Sequence, residues 1–298
     1  MAGFANISEF VNAEAEGRSW ITQFRKTFPA GATTASNFND FSYVAGSPLA
    51  NFYASSPLEA AVISPSRGIY VPSVTPQMQV LKNITVMTVA GAVASVITER
   101  QEMLLADYLL YYPFIDMDDL AQQDMVQSAT IPRYDYGYVM AISQSPSSAI
   151  GQFTFTYTNQ DGVAGQVSPN IFTQIVSGGG QSITTQASGA GFHLFLPLQL
   201  GDRGVKSIES ITFTVPGGGL MALVIVHPLL RFYVASTSRR TTSGNLESYG
   251  AASAIDSMIN LAAAPIIKDG AILNLVSRGN AGSMNQSQLV GMIETTWN

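Results

Sequence analysis

Cysteine is absent from the 298-residue sequence. That excludes disulfides, thiolate zinc sites and a cysteine nucleophile, and stability cannot depend on thiol redox state. Charge is scarce as well: Asp, Glu, Lys and Arg make up 11% of the chain, against about 25% in an ordinary soluble domain. A monomer normally covers its surface with these residues to stay unassociated, so a chain this poor in them is expected to have much of its surface covered by other protein. Basic residues are the minority, 14 against 20 acidic, for a net charge of −6. Duplex DNA binding rests on a basic stripe, and Arg25-Lys26 and Arg239-Arg240 are too short to form one; direct nucleic-acid contact is not expected. Long apolar runs are missing too. Ile84–Ile97 is interrupted by Thr85, Thr88 and Ser95 and bracketed by Lys82 and Glu99, well short of the ~20 residues that span a bilayer. Leu220–Val226 is shorter still and meets His227-Pro228. Both are expected to be buried strands, and no membrane association is expected. Met1–Phe10 has no basic region followed by an apolar run, so no secretory signal is expected.

What is present is period-two alternation, the mark of half-buried strands. Phe153, Phe155 and Tyr157 alternate with Thr154, Thr156 and Thr158, and Asp161-Gly162 follows as a tight reversal. Ile171–Val176, Phe192–Leu200, Ile211–Val215 and Leu220–Val226 continue the series, with Val80–Val89, Leu104–Tyr111 and Tyr138–Ser143 before it and Ala271–Ser277 and Gln288–Thr295 after it. Helical spacing is confined to Ala254–Ala264, ended by Pro265, and to a weaker segment within Ser8–Trp20. Many short strands between Gly- and Pro-bearing turns predict an all-β chain, a β-sandwich or jelly roll with at most one or two short helices. Residues 1–76 hold six of the 14 prolines together with scattered aromatics. They predict an extended, irregular N-terminal arm that folds on a partner or on the chain's own core. The main sandwich is expected over 77–235, an exposed loop over 236–253, and a short helix with closing strands over 254–298.

Catalytic patterns are few. His193 and His227 read as structural, no Gly-x-Ser-x-Gly elbow occurs, and the triple glycines at 178–180 and 217–219 lack the lysine of a phosphate loop. Asp116, Asp118, Asp119 and Asp124 form the one site-like cluster, but without the glycine and closing glutamate of a calcium loop they read as an exposed acidic turn. The carboxylates are too scattered to nominate a glycosidase pair. No enzyme activity, cofactor or metal is expected.

Several blocks carry a resemblance. Trp20–Lys26 (WITQFRK), Asp107–Asp116 (DYLLYYPFID), Ile131–Tyr134, Phe153–Gly165 (FTFTYTNQDGVAG), Pro197–Gly204 (PLQLGDRG), Asp269–Ala271 and Ile293–Asn298 (IETTWN) resemble blocks of tailed-bacteriophage virion structural proteins. The resemblance spreads over most of the chain and implies a structural part of a phage particle, made in the host cytoplasm and resident in the virion. A capsid decoration (cement) protein on the head surface fits the sparse charge and the aromatic arm; it would contact the major capsid protein and further copies of itself, as a trimer in preference to a dimer. A tail, baseplate or fibre component with a glycan-binding face is the alternative. The residues expected at the interface are Trp20, Phe24, Arg25, Lys26, Phe38, Phe41, Tyr111 and Tyr112.

Overall fold

The structure is a computed structural model that describes residues 4, 6–27, 38–89, 100–185, 194–235, 237–240, 246–249, 252–254, 265–278 and 288–298. One short helix, α1 (Ile7–Ala15), opens the chain, its first turn capped by the Asn6 side chain, which accepts from the Glu9 amide at 3.0 Å. Nine principal strands follow: β1 (Ser19–Thr27), β2 (Gln79–Val89), β3 (Arg100–Asp116), β4 (Tyr138–Ser143), β5 (Gln152–Asn159), β6 (Val205–Val215), β7 (Leu220–Ala235), β8 (Ile272–Arg278) and β9 (Gln288–Trp297). With shorter strands they build three antiparallel sheets, and the fold is an all-β sandwich.

The central sheet runs Phe38–Asp40, β8, β3, β7, β4. The terminal sheet joins the two ends of the chain in the order Ala252–Ala254, β2, β9, β1, Gly46-Ser47. The satellite sheet runs Thr184-Thr185, Ile171–Thr173, β5, β6, Gln123-Asp124. Alternation along β3 explains their stacking. Met103 and Leu105 share a core with Phe24, Leu81, Ile84, Val86, Leu289 and Ile293 of the terminal sheet. Farther along the same face, Leu109, Tyr112 and Ile115 share a core with Phe153, Phe155, Tyr157, Ile208 and Phe213 of the satellite sheet. Two sheets therefore sit side by side on one face of a third. The opposite face presents Leu104, Ala106, Tyr108, Val224 and Val226, covered by Tyr53, Ile63 and Leu194.

A polar seam separates the two cores. Asp107 points from β3 between them, has no solvent exposure, and is held bidentately by Arg133 (Nε 2.9 Å, Nη2 2.7 Å) with a third bond from the Ile272 amide at 3.0 Å. Across the ladder from it stands His227, stacked on the Tyr134 ring at 3.9 Å. Burial raises the Asp107 carboxyl above the ordinary carboxylate range, and the Arg133 hydrogen bonds and charge oppose that rise.

The structure departs from some of these expectations and fills in others. β7 does not stop at His227-Pro228 but continues to Ala235, because a register shift between Pro228 and Leu230 admits the proline. His227 consequently lies mid-strand. In Phe192–Leu200 the described residues 194–200 form no strand. Leu194 and Leu196 are buried, yet Pro197 has no N–H to donate and the backbone contact with β4 is a single bond from the Leu196 amide to the Val139 carbonyl at 2.8 Å. The stretch 236–253 contains a hairpin, Thr237–Arg240 with Leu246–Tyr249, and the strand Ala252–Ala254. The helix expected over Ala254–Ala264 lies, from 255 on, outside the described residues. Within residues 1–76, β1 is a full strand paired with β9 along its whole length, and 38–71 cover the chain's own central sheet.

Arg133→Ala is expected to lower stability by about 3–5 kcal/mol, since it strands a buried carboxylate. A double variant with Asp107→Leu and Arg133→Met should recover much of the loss; denaturant midpoints of the three proteins check this.

Candidate interaction surface

The eight residues expected at an interface divide sharply. Phe24 is buried in the terminal-sheet core with its ring against Gly291, where an added Cβ would meet Phe24 Cζ at 2.3 Å. Phe41 is buried in the same core. Lys26 is 2% exposed, and its ammonium donates to the Pro48 carbonyl at 2.7 Å and the Val44 carbonyl at 3.4 Å. Burial pushes its pKa down to about 8, against the pull of the Asp40 charge. Tyr111 and Tyr112 are buried on opposite faces of the central sheet; the Tyr112 hydroxyl donates to Gln127 at 2.8 Å and accepts from the Ile208 amide at 3.2 Å. Neither ring of that pair is open to stack on a sugar. Phe38 is half-buried beneath the Arg278 guanidinium, 5.8 Å from its ring centroid. Only Trp20 and Arg25 face solvent; the Arg25 Nε donates to Gln288 at 2.9 Å.

For Phe24, Arg25 and Lys26 the reason is strand parity; Trp20 shares the parity of Phe24 and Lys26 and is exposed all the same. In β1, Phe24 and Lys26 point inward, whereas Ile21, Gln23 and Arg25 point outward. Reading the period of Ser19–Thr27 would have separated these two sets, though not Trp20 from Phe24. The outward set belongs to a surface that sequence reasoning missed. On the outer face of the terminal sheet, Gln23, Arg25, Thr85, Met87, Val290 and Met292 line a groove of about 520 Å³. The other end of that face is closed by α1, whose Phe10 and Ala13 pack on Val80 while Lys82 bridges Glu14 (2.5 Å) and Glu294 (2.7 Å).

The acidic cluster closes loops. Asp116 accepts from the Asp118 amide, Asp119 from the Ala121 amide and Asp118 from the Gly218 amide, at 2.9 to 3.1 Å. Among the described residues no group of three or more His, Cys, Asp or Glu is placed to hold a metal, and no helix is long and apolar enough to cross a membrane. Gly179 and Gly180 sit against Tyr43, where a Cβ would come within 2.5 to 2.9 Å of that side chain; their role is close packing. His193 lies outside the described residues.

The densest polar group is Asp40, fully enclosed between the N-terminal segment and the central sheet. It accepts from the Ser42 amide (2.8 Å), the Ser42 hydroxyl (2.7 Å), the Tyr108 hydroxyl (2.7 Å) and the Tyr53 hydroxyl. Burial raises its pKa, and these hydrogen bonds offset part of the rise; burial also raises both tyrosines, with the Asp40 charge adding to it. A carboxylate sealed from solvent has no route to a substrate, so its work is to pin residues 38–53 to the sheet.

No protein-family model and no curated protein matches the chain. Among solved structures, a chain of the infectious bursal disease virus Gx strain is similar at 9% identity and a TM-score of 0.18, over 94% of this chain and 82% of that one, a superposition too loose to bear on fold or role.

Because the Asp40 pKa is raised in the folded state, its contribution to stability is fullest below the ordinary value of 3.8 and declines as pH rises through the folded-state pKa. The stability of the native protein minus that of Asp40→Asn should therefore fall from acid toward neutral pH. Paired urea titrations across that range check the sign; a difference that grows with pH overturns it.

Proposed function

We propose that the chain is a non-enzymatic structural component of a tailed-phage virion, a capsid decoration protein that stabilises the head by bridging neighbouring capsid subunits. One observation carries the reading. Large apolar side chains are left exposed along the chain, among them Ile7, Val11, Trp20, Ile21 and Met87 on α1, β1 and β2 and Leu120, Ile150, Ile175 and Leu200 elsewhere, with only 11% charged residues to keep such a surface solvated. Apolar surface of this kind on a structural protein belongs against another protein. The likeness of Trp20–Lys26 and the other blocks to phage virion proteins supplies the particle. The net charge of −6 favours the outside of the head over its DNA-filled interior. The major capsid protein is the proposed partner, with no cofactor, direct nucleic-acid or membrane contact.

Particles from a phage deleted for this gene should carry no band at 31.7 kDa and release their DNA at lower temperature or after milder osmotic shock than parental particles. In parental particles the band should be abundant, comparable with the major capsid protein. A band of only a few copies, or deleted particles that stay equally robust but fail to adsorb to cells, would sink the decoration reading in favour of a tail or fibre part.

A further inference from the structure

β1 pairs with β9 along all nine of its residues, but on its other side Gly46-Ser47 covers only Arg25 and Lys26. The Thr27 amide bonds Ala45 on that side, while the Arg18 carbonyl accepts from Trp297 on the β9 side. In a strand whose register is unbroken, this fixes the direction of every backbone group between them. The N–H and C=O of Ser19, Ile21 and Gln23 point away from β9, and among the described residues no strand pairs with them. Trp20 is 47% and Ile21 53% exposed. Ser19–Phe24 contains no charge, no proline and no bulge, the devices that ordinarily protect an open edge.

We propose that this edge is the two-fold interface of a homodimer, in which β1 of one copy pairs antiparallel with β1 of a second and the terminal sheet runs continuously through both. The open window has Ile21 at its middle, closed on one side by the Gly46-Ser47 strand and on the other by the Glu16-Gly17 turn. A two-fold axis at Ile21 sets Ile21 opposite Ile21 and Ser19 opposite Gln23. All six outward groups of each copy are then satisfied, because each facing pair exchanges both of its hydrogen bonds. The same register puts the Trp20 ring across from Thr22 of the second copy. It also brings the exposed Arg25 to the turn that carries the exposed Glu16, so that this carboxylate, paired with Arg18 at 3.0 Å within the chain, gains a second cation from the other copy, twice over. The contact is isologous and uses up both edges, so it closes at two copies; it is a dimer where the decoration reading favours a trimer. It does not depend on the virion role, since it concerns the isolated chain.

The absence of native cysteine makes the register directly testable. In this pairing the two Ile21 Cα atoms lie about 5.5 Å apart, within reach of a disulfide. The two Gln23 residues are offset by about 13 Å along the strands, out of reach. Under mild oxidation, Ile21→Cys should cross-link to a dimer at least ~10-fold faster than Gln23→Cys, and the double variant Ser19→Cys with Gln23→Cys should cross-link as readily as Ile21→Cys, in keeping with the ~7 Å limit on bridgeable pairs. Light scattering should give the native chain twice its 31.7 kDa mass. Ile21→Pro removes an outward N–H without touching the β9 ladder and should give a single-chain mass with an unchanged circular dichroism spectrum. A monomeric native chain, or equal cross-linking at Ile21→Cys and Gln23→Cys, overturns the proposal. Should Ile21→Pro unfold, the cysteine variants decide alone.

Discussion

The pairing of β3 with β7 is the constraint on which the remaining architecture depends. These strands are 17 and 16 residues long, about three times an ordinary strand, and both of their faces are apolar over most of that length. At about 3.3 Å per residue the ribbon exceeds 50 Å, more than one opposing sheet of common size spans. Three separate covers are therefore required: the terminal sheet and the satellite sheet on one face, the irregular segment 38–71 on the other. Bulges at Leu109 and after Pro228 let so long a ribbon twist while keeping apolar side chains under each cover.

Where one cover ends and another begins, the interior turns polar. Asp107 with Arg133 marks the join between the two cores, and the stacked Tyr134 and His227 continue that join across the ladder. Asp40 with Ser42, Tyr53 and Tyr108 marks the place where the N-terminal segment crosses onto the opposite face. Each buried carboxylate is costly alone and satisfied only when the correct segment has arrived. They act as registers for docking, while apolar burial supplies the driving force. The same enclosure removes them from chemistry with any external molecule.

The terminal sheet answers to a different constraint. It is built from both ends of the chain, with α1 over one half of its outer face, and among the described residues nothing covers the other half or the β1 edge beside it. Backbone groups at that edge are as demanding as any in the interior, and the exposed Trp20 and Ile21 beside them add apolar area that water solvates poorly. The proposed dimer edge and the proposed capsid-facing surface therefore draw on one physical feature of the sheet.

By itself the sequence determined that the chain is all-β and where most strands run, because period-two alternation is a local property; Tyr138–Ser143 and Phe153–Thr158 were legible almost to the residue. It also determined the shortage of charge and of catalytic pattern, which are matters of composition. Tertiary structure alone decided which aromatics are surface. Phe24, Phe41, Tyr111 and Tyr112 carry no mark distinguishing them from Trp20, yet the core claims all four, since burial depends on which sheet faces which. The continuation of β7 through Pro228 was equally illegible, because a bulge exists only in relation to a partner strand. The open edge at Ser19, Ile21 and Gln23 was hidden for the same reason: an edge is defined by which strand is not alongside, and no local pattern in β1 records that.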